Sequence, residues 1–65
     1  MVSEQVVYAD GDYVILLNHA LFGSGFNVYK STQPGGNTFE KVNERFGWFN
    51  TFDAAKSFME SVRDN

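Results

Sequence analysis

The sequence predicts an α+β domain: a small antiparallel sheet of three to four strands packed by one C-terminal helix, in the order β-β-β(-β)-α. Three observations carry this expectation. Ala55, Phe58, Met59 and Val62 recur at i, i+3, i+4 and i+7, which is the apolar stripe of a helix. The chain before them consists of short β-prone runs separated by Gly- and Asp-rich turn signals. The 65 residues suffice for a single domain over 1–65 and no more.

Val6-Val7-Tyr8-Ala9 opens as a strand, and Asp10-Gly11-Asp12 is a tight-turn signal. Tyr13 to Asn18 resumes with β-branched and aliphatic residues, so the two runs read as a hairpin. The second run is apolar on both faces, with Tyr13, Ile15 and Leu17 on one and Val14 and Leu16 on the other. Such a strand is central and covered, or meets another chain. Leu21 to Gly25 reads as a flexible connection. Phe26 to Ser31 alternates, with Phe26 and Val28 opposite Asn27 and Tyr29. Thr32-Gln33-Pro34-Gly35-Gly36-Asn37 is the strongest loop signal. Thr38 to Phe46 reads as a further strand with Val42, Glu44 and Phe46 on one face. Thr51 is suited to cap a helix over about residues 52–63, with Asp53 in its first turn and Arg63 at its end.

Composition narrows the function classes. Without Cys there is no disulfide framework and no thiolate metal site, which reads as an intracellular, cytoplasmic protein, or a host-cytoplasmic one if virus-encoded. The longest apolar run, Val14 to Leu17, is too short to span a bilayer, so a soluble protein without a membrane partner is expected. A net charge of −3 disfavours general nucleic-acid binding, which draws on a basic surface.

No motif carries catalysis, and no cofactor or metal is expected. His19 stands alone, without a second His or a Ser–His–Asp order, and reads as a polar residue at a strand end. Asp10-Gly11-Asp12 lacks the later ligands of a calcium loop. Neither Gly23-Ser24-Gly25 nor Gly35-Gly36 sits between a strand and a helix with a following Gly-Lys-Ser/Thr.

The remaining signal is aromatic. Eleven residues are Phe, Tyr or Trp. A domain of this size buries only about 60% of the surface its unfolded chain exposes, so some rings must lie outside. Phe26, Phe46, Phe49 and Phe58 are expected in the sheet–helix core and Phe52 at its edge, while the placing of Tyr8 and Tyr13 depends on register. That leaves Phe22, Tyr29, Phe39 and Trp48 as candidate contacts with a partner. Tyr29 is expected to build a patch on the helix-free face with Tyr8, Tyr13 or Phe39.

Gly47-Trp48-Phe49-Asn50-Thr51-Phe52-Asp53-Ala54-Ala55-Lys56-Ser57-Phe58 resembles the ending of the N-terminal arm-binding domains of phage-type integrases. There, an aromatic strand end leads into a Thr-capped helix. The resemblance is confined to this segment, and no family is assigned on it. It implies a β-β-β-α fold that reads DNA with a basic sheet face. Here the strands offer only Lys30, Lys41 and Arg45, beside Glu40 and Glu44.

Two functions follow as expectations. The first is a non-enzymatic module that docks on a larger protein, or on a second copy of itself, through an aromatic sheet face or strand edge. By analogy it suits a phage-type accessory regulator or inhibitor. The second is a nucleic-acid-binding domain in which Lys30, Lys41 and Arg45 contact phosphates and Tyr29 or Trp48 stacks on bases.

Overall fold

The first two β-prone runs form a hairpin because Gly11 can turn the chain at φ 62°, where a side chain would be strained. Its strands are β1 (Ser3–Asp10) and β2 (Tyr13–Ala20). The structure, a computed structural model, describes residues 3–20, 23–33 and 38–65. It continues through β3 (Gly23–Ser31) and β4 (Phe39–Lys41) to α1 (Phe52–Arg63). The four strands form one antiparallel sheet in the order β1-β2-β3-β4, with α1 packed on one face over β2 and β3. This is the α+β architecture that the sequence predicts.

Register decides which residues meet the helix. Ile15 stands opposite Val28, Leu17 opposite Phe26 and Tyr13 opposite Lys30, and directly opposed residues share a face. Ile15 and Val28 are fully buried with Ala55 and Met59 of α1. Rings wall this small core: Phe52 meets Tyr8 and Phe26 edge-on, with centroids 5.8 and 6.1 Å away, and Phe49 lies 5.3 Å from Phe58. The capping expectation holds, since Thr51 Oγ1 accepts the Ala54 N–H at 3.2 Å. The helix also reaches beyond its apolar stripe. Lys56 places its ammonium 5.4 Å from the centre of the Tyr8 ring, and Arg63 pairs with Asp10 at the far end of β1.

The structure corrects the sequence reading at three points. β3 begins at Gly23 rather than Phe26, so Gly23-Ser24-Gly25 is strand and not connection. β4 ends at Lys41, whereas the sequence extends it to Phe46. The chain leaves the sheet there because the Asn43 side chain occupies the next hydrogen-bonding position on β3, as detailed below. Phe46 consequently stands 83% exposed instead of in the core, with the Arg45 guanidinium 5.1 Å from its ring centre. Finally, Tyr8 and Tyr13 pack against the core and belong to the helix side, so neither contributes to an aromatic patch on the open face. For Tyr8 the cause is a bulge in β1. Val6 opposes Leu16 but Tyr8 opposes Ile15, so one extra residue between them reverses the alternation. The proposed connection at Leu21 and Phe22 and the loop over residues 34–37 lie outside the described residues.

Candidate functional site

The face of the sheet away from α1 is assembled by the same register. From β1 it takes Glu4, Val6 and Ala9; from β2, Val14, Leu16 and Asn18; from β3, Gly25, Asn27 and Tyr29; and from β4, Phe39 and Lys41. The two-sided apolar character of Tyr13 to Leu17 is thereby divided. Ile15 is buried under the helix, while Val14 and Leu16 lie half-buried in the middle of the open face.

Three of the four candidate contacts lie on this face, spread along β3 from Gly25 to Ser31. Tyr29 pairs with Lys41 and is half-buried, and Phe39 pairs with Ser31 on the same side and is 44% exposed. Trp48 arrives from the segment before the helix and covers Gly25. A Cβ built on Gly25 would stand 2.6 Å from Trp48 Cγ and 2.9 Å from its Cβ, so no larger residue fits beneath the indole. Trp48 nevertheless remains 62% exposed. The fourth candidate, Phe22, lies outside the described residues.

An asparagine joins the segment before Trp48 to β3. Asn43 Oδ1 accepts the Val28 N–H at 3.0 Å, and its Nδ2 donates to Asn27 Oδ1 and to the Gly47 carbonyl, each at 3.2 Å. The side chain thus replaces a strand backbone on the outer edge of β3. The main chain bypasses this position and rejoins the edge at Phe49, which exchanges both backbone hydrogen bonds with Phe26 at 2.8 and 2.9 Å. Alternation across that bridge sends Phe49 into the core and Trp48 onto the open face. Asn43 carries no sequence signal of this role. Gly25 does, because a glycine inside a strand marks a close approach.

The three cations considered for phosphate contacts are dispersed. Lys30 lies on the helix side, with its ammonium 5.6 Å from the Tyr13 ring centre. Lys41, on the open face, donates to the carbonyls of Arg45 at 2.9 Å and Gly47 at 2.7 Å. Arg45 sits in the bypass loop against Phe46. His19 is exposed near the end of β2. Among the described residues no three His, Cys, Asp or Glu side chains converge to hold a metal, and no helix is long and apolar enough to cross a membrane. A shallow depression of about 360 Å³ beside the loop is lined by Asn43, Glu44, Gly47, Trp48, Phe49 and Phe58.

No protein-family model, no curated protein and no solved structure matches this chain.

The open face also alters the chemistry of Tyr29. Burial raises its phenol above the ordinary 10.0, and the Glu4 carboxylate raises it further. Both causes disfavour the phenolate in the folded protein. Folding stability is therefore unaffected by this group below the unfolded value and declines as pH rises from there through the higher folded value. Phenolate absorbance titration is expected to include a late step from Tyr29. Substituting Tyr29→Phe should remove that late step and the part of the alkaline stability loss that belongs to it.

Proposed function

We propose that this protein is a non-enzymatic interaction module that docks on a larger protein through its helix-free sheet face. The observation that supports this reading is that Tyr29, Phe39 and Trp48 share the open face with the half-buried Val14 and Leu16. Large aromatic rings are the side chains that dominate binding energy when desolvated, and they lose little conformational freedom on docking. A preformed sheet face is also a surface to which a second protein adds without refolding this one. Occupying such a surface on a larger protein suits an accessory regulator or inhibitor, because the effect then requires contact and no chemistry.

The test compares tagged wild-type chain with a Phe39→Ala/Trp48→Ala variant in affinity capture from a native-host lysate, read by quantitative mass spectrometry. A protein retained by the wild type should be depleted about tenfold or more with the variant, as expected for loss of two central aromatic contacts. Phe46→Ala, exposed away from the strands, serves as the control and should retain that protein. Equal retention by wild type and the double variant would remove the aromatic-face reading.

A further inference from the structure

We infer that the depression beside the bypass loop receives the guanidinium of an arginine side chain presented by the partner protein. The inference rests on the docking reading above for the source of that arginine, and the experiment below separates the two.

The depression forms where the chain leaves the sheet. β4 ends at Lys41, and the chain returns to β3 at Phe49. Between them Glu44 and Gly47 close a turn, with the Gly47 N–H donating to the Glu44 carbonyl at 3.1 Å. Gly47 lets the Glu44 side chain lie against this turn. A Cβ built on Gly47 would stand 2.9 Å from Glu44 Oε2 and 3.0 Å from Glu44 Cβ, so a side chain there would push the carboxylate aside. From the helix comes Phe58, whose ring centre lies 5.3 Å from that of Phe49, and Trp48 adds an indole that is 62% exposed. The hollow of about 360 Å³ is thus lined by three rings and one carboxylate-bearing side chain.

Charge selects the occupant. Among the described residues Glu44 takes part in no ion pair, although two cations stand near it in sequence. Lys41 gives its ammonium to the carbonyls of Arg45 and Gly47, and Arg45 lies against the Phe46 ring. The helix adds no charge at this point. One turn either side of Phe58 stand Ala54, Ala55, Ser61 and Val62, while the helix cations Lys56 and Arg63 reach β1 instead. Asn43 has committed both N–H groups of its amide, to Asn27 Oδ1 and the Gly47 carbonyl, and so has no donor left for an anion. A hard metal ion is equally unsuited, because it gathers six or more oxygens and the rings supply none. A guanidinium suits both parts of the wall: its flat face stacks on aromatic rings and its N–H edge pairs with a carboxylate. An ammonium, more strongly hydrated, loses more on leaving water. The net charge of −3 adds a longer-range attraction for a cationic partner.

The test is an NMR titration of the full ¹⁵N-labelled chain with methylguanidinium at constant ionic strength. N-methylurea, the neutral analogue, and methylammonium are titrated in parallel. With methylguanidinium, the Gly47 and Phe58 amides and the Trp48 indole N–H should shift along one isotherm, with a Kd on the order of 0.1 M for a single exposed anchor. They should stay in place with N-methylurea and move less with methylammonium. Glu44→Gln keeps the shape and removes the charge, and should weaken binding about threefold. Phe39→Ala should leave binding unchanged, because Phe39 pairs with Ser31 at the other end of β3. Signal dispersion establishes that the variants fold, and Glu44→Ala replaces Glu44→Gln if the latter does not. No concerted shift, equal shifts with N-methylurea or methylammonium, or an unchanged isotherm in Glu44→Gln would each overturn the proposal. Methylguanidinium binding together with failed capture supports the guanidinium site and overturns the docking reading alone. Successful capture without methylguanidinium binding overturns the site and leaves the docking reading standing.

Discussion

Met59→Ala is expected to lower the free energy of unfolding by about 2–5 kcal/mol, the range for truncating a buried side chain and leaving a cavity. Met59 is fully buried with Ile15, Val28 and Ala55. Two strands and one helix meet at that point, and among the described residues no second core layer lies behind them. A domain of 65 residues has only about 3–10 kcal/mol in total, at roughly 0.05–0.15 kcal/mol per residue. One truncation should therefore remove a large fraction of it. Urea denaturation at fixed temperature measures the loss as a lower midpoint at unchanged slope. Phe46→Ala provides the contrast. The ring is bulkier, but it is 83% exposed, so the change should stay within about 0.5 kcal/mol. Equal effects of the two substitutions would mean that the core is not organised around Met59.

Asn43→Ala is expected to cost about 2–4 kcal/mol, an unusually large effect for a loop residue. The side chain makes three hydrogen bonds, to the Val28 N–H, Asn27 Oδ1 and the Gly47 carbonyl. Its loss strands the amide of a buried residue and a buried asparagine, and each such orphan costs about 1–3 kcal/mol. Native-state hydrogen exchange gives the specific readout. The Val28 amide should lose protection well beyond the global destabilisation, because its partner is a side chain and not a strand. Asn43→Asp should fall in between, since it retains the acceptor for Val28 but loses both donated bonds. If the Val28 amide remained as protected in Asn43→Ala as its β3 neighbours, the edge-sealing role would be wrong.

The two substitutions differ in how far their effects reach toward the candidate surface. Met59 supports the whole fold, so its loss weakens the aromatic face only by unfolding it. Asn43 fixes the bypass that delivers Trp48 over Gly25. In Asn43→Ala, Trp48 keeps the Lys41 bond to Gly47 and the Phe49 bridge on either side of it but should gain mobility, and its fluorescence reports this cleanly because it is the only tryptophan. Stability and surface geometry are separable in this protein for that reason.

Much of the fold was legible in the residues because it rests on local physics. The helix over Phe52–Arg63, its Thr51 cap, the Gly11 turn and the alternation of Phe26 to Ser31 each follow from chemistry within a few neighbouring positions. So does the two-faced apolarity of Tyr13 to Leu17, which marks a central strand. Other features depend on contacts between distant segments, and local pattern does not encode them. The bulge that moves Tyr8 to the helix side is set by pairing with β2. The end of β4 at Lys41 and the exposure of Phe46 follow from an asparagine reaching across to β3, 15 positions away in sequence. The gathering of Tyr29, Phe39 and Trp48 on one face combines both sources. Alternation assigns Tyr29 its side of β3, but only the pairing of β4 and the close approach of Trp48 to Gly25 put the other two rings on the same face.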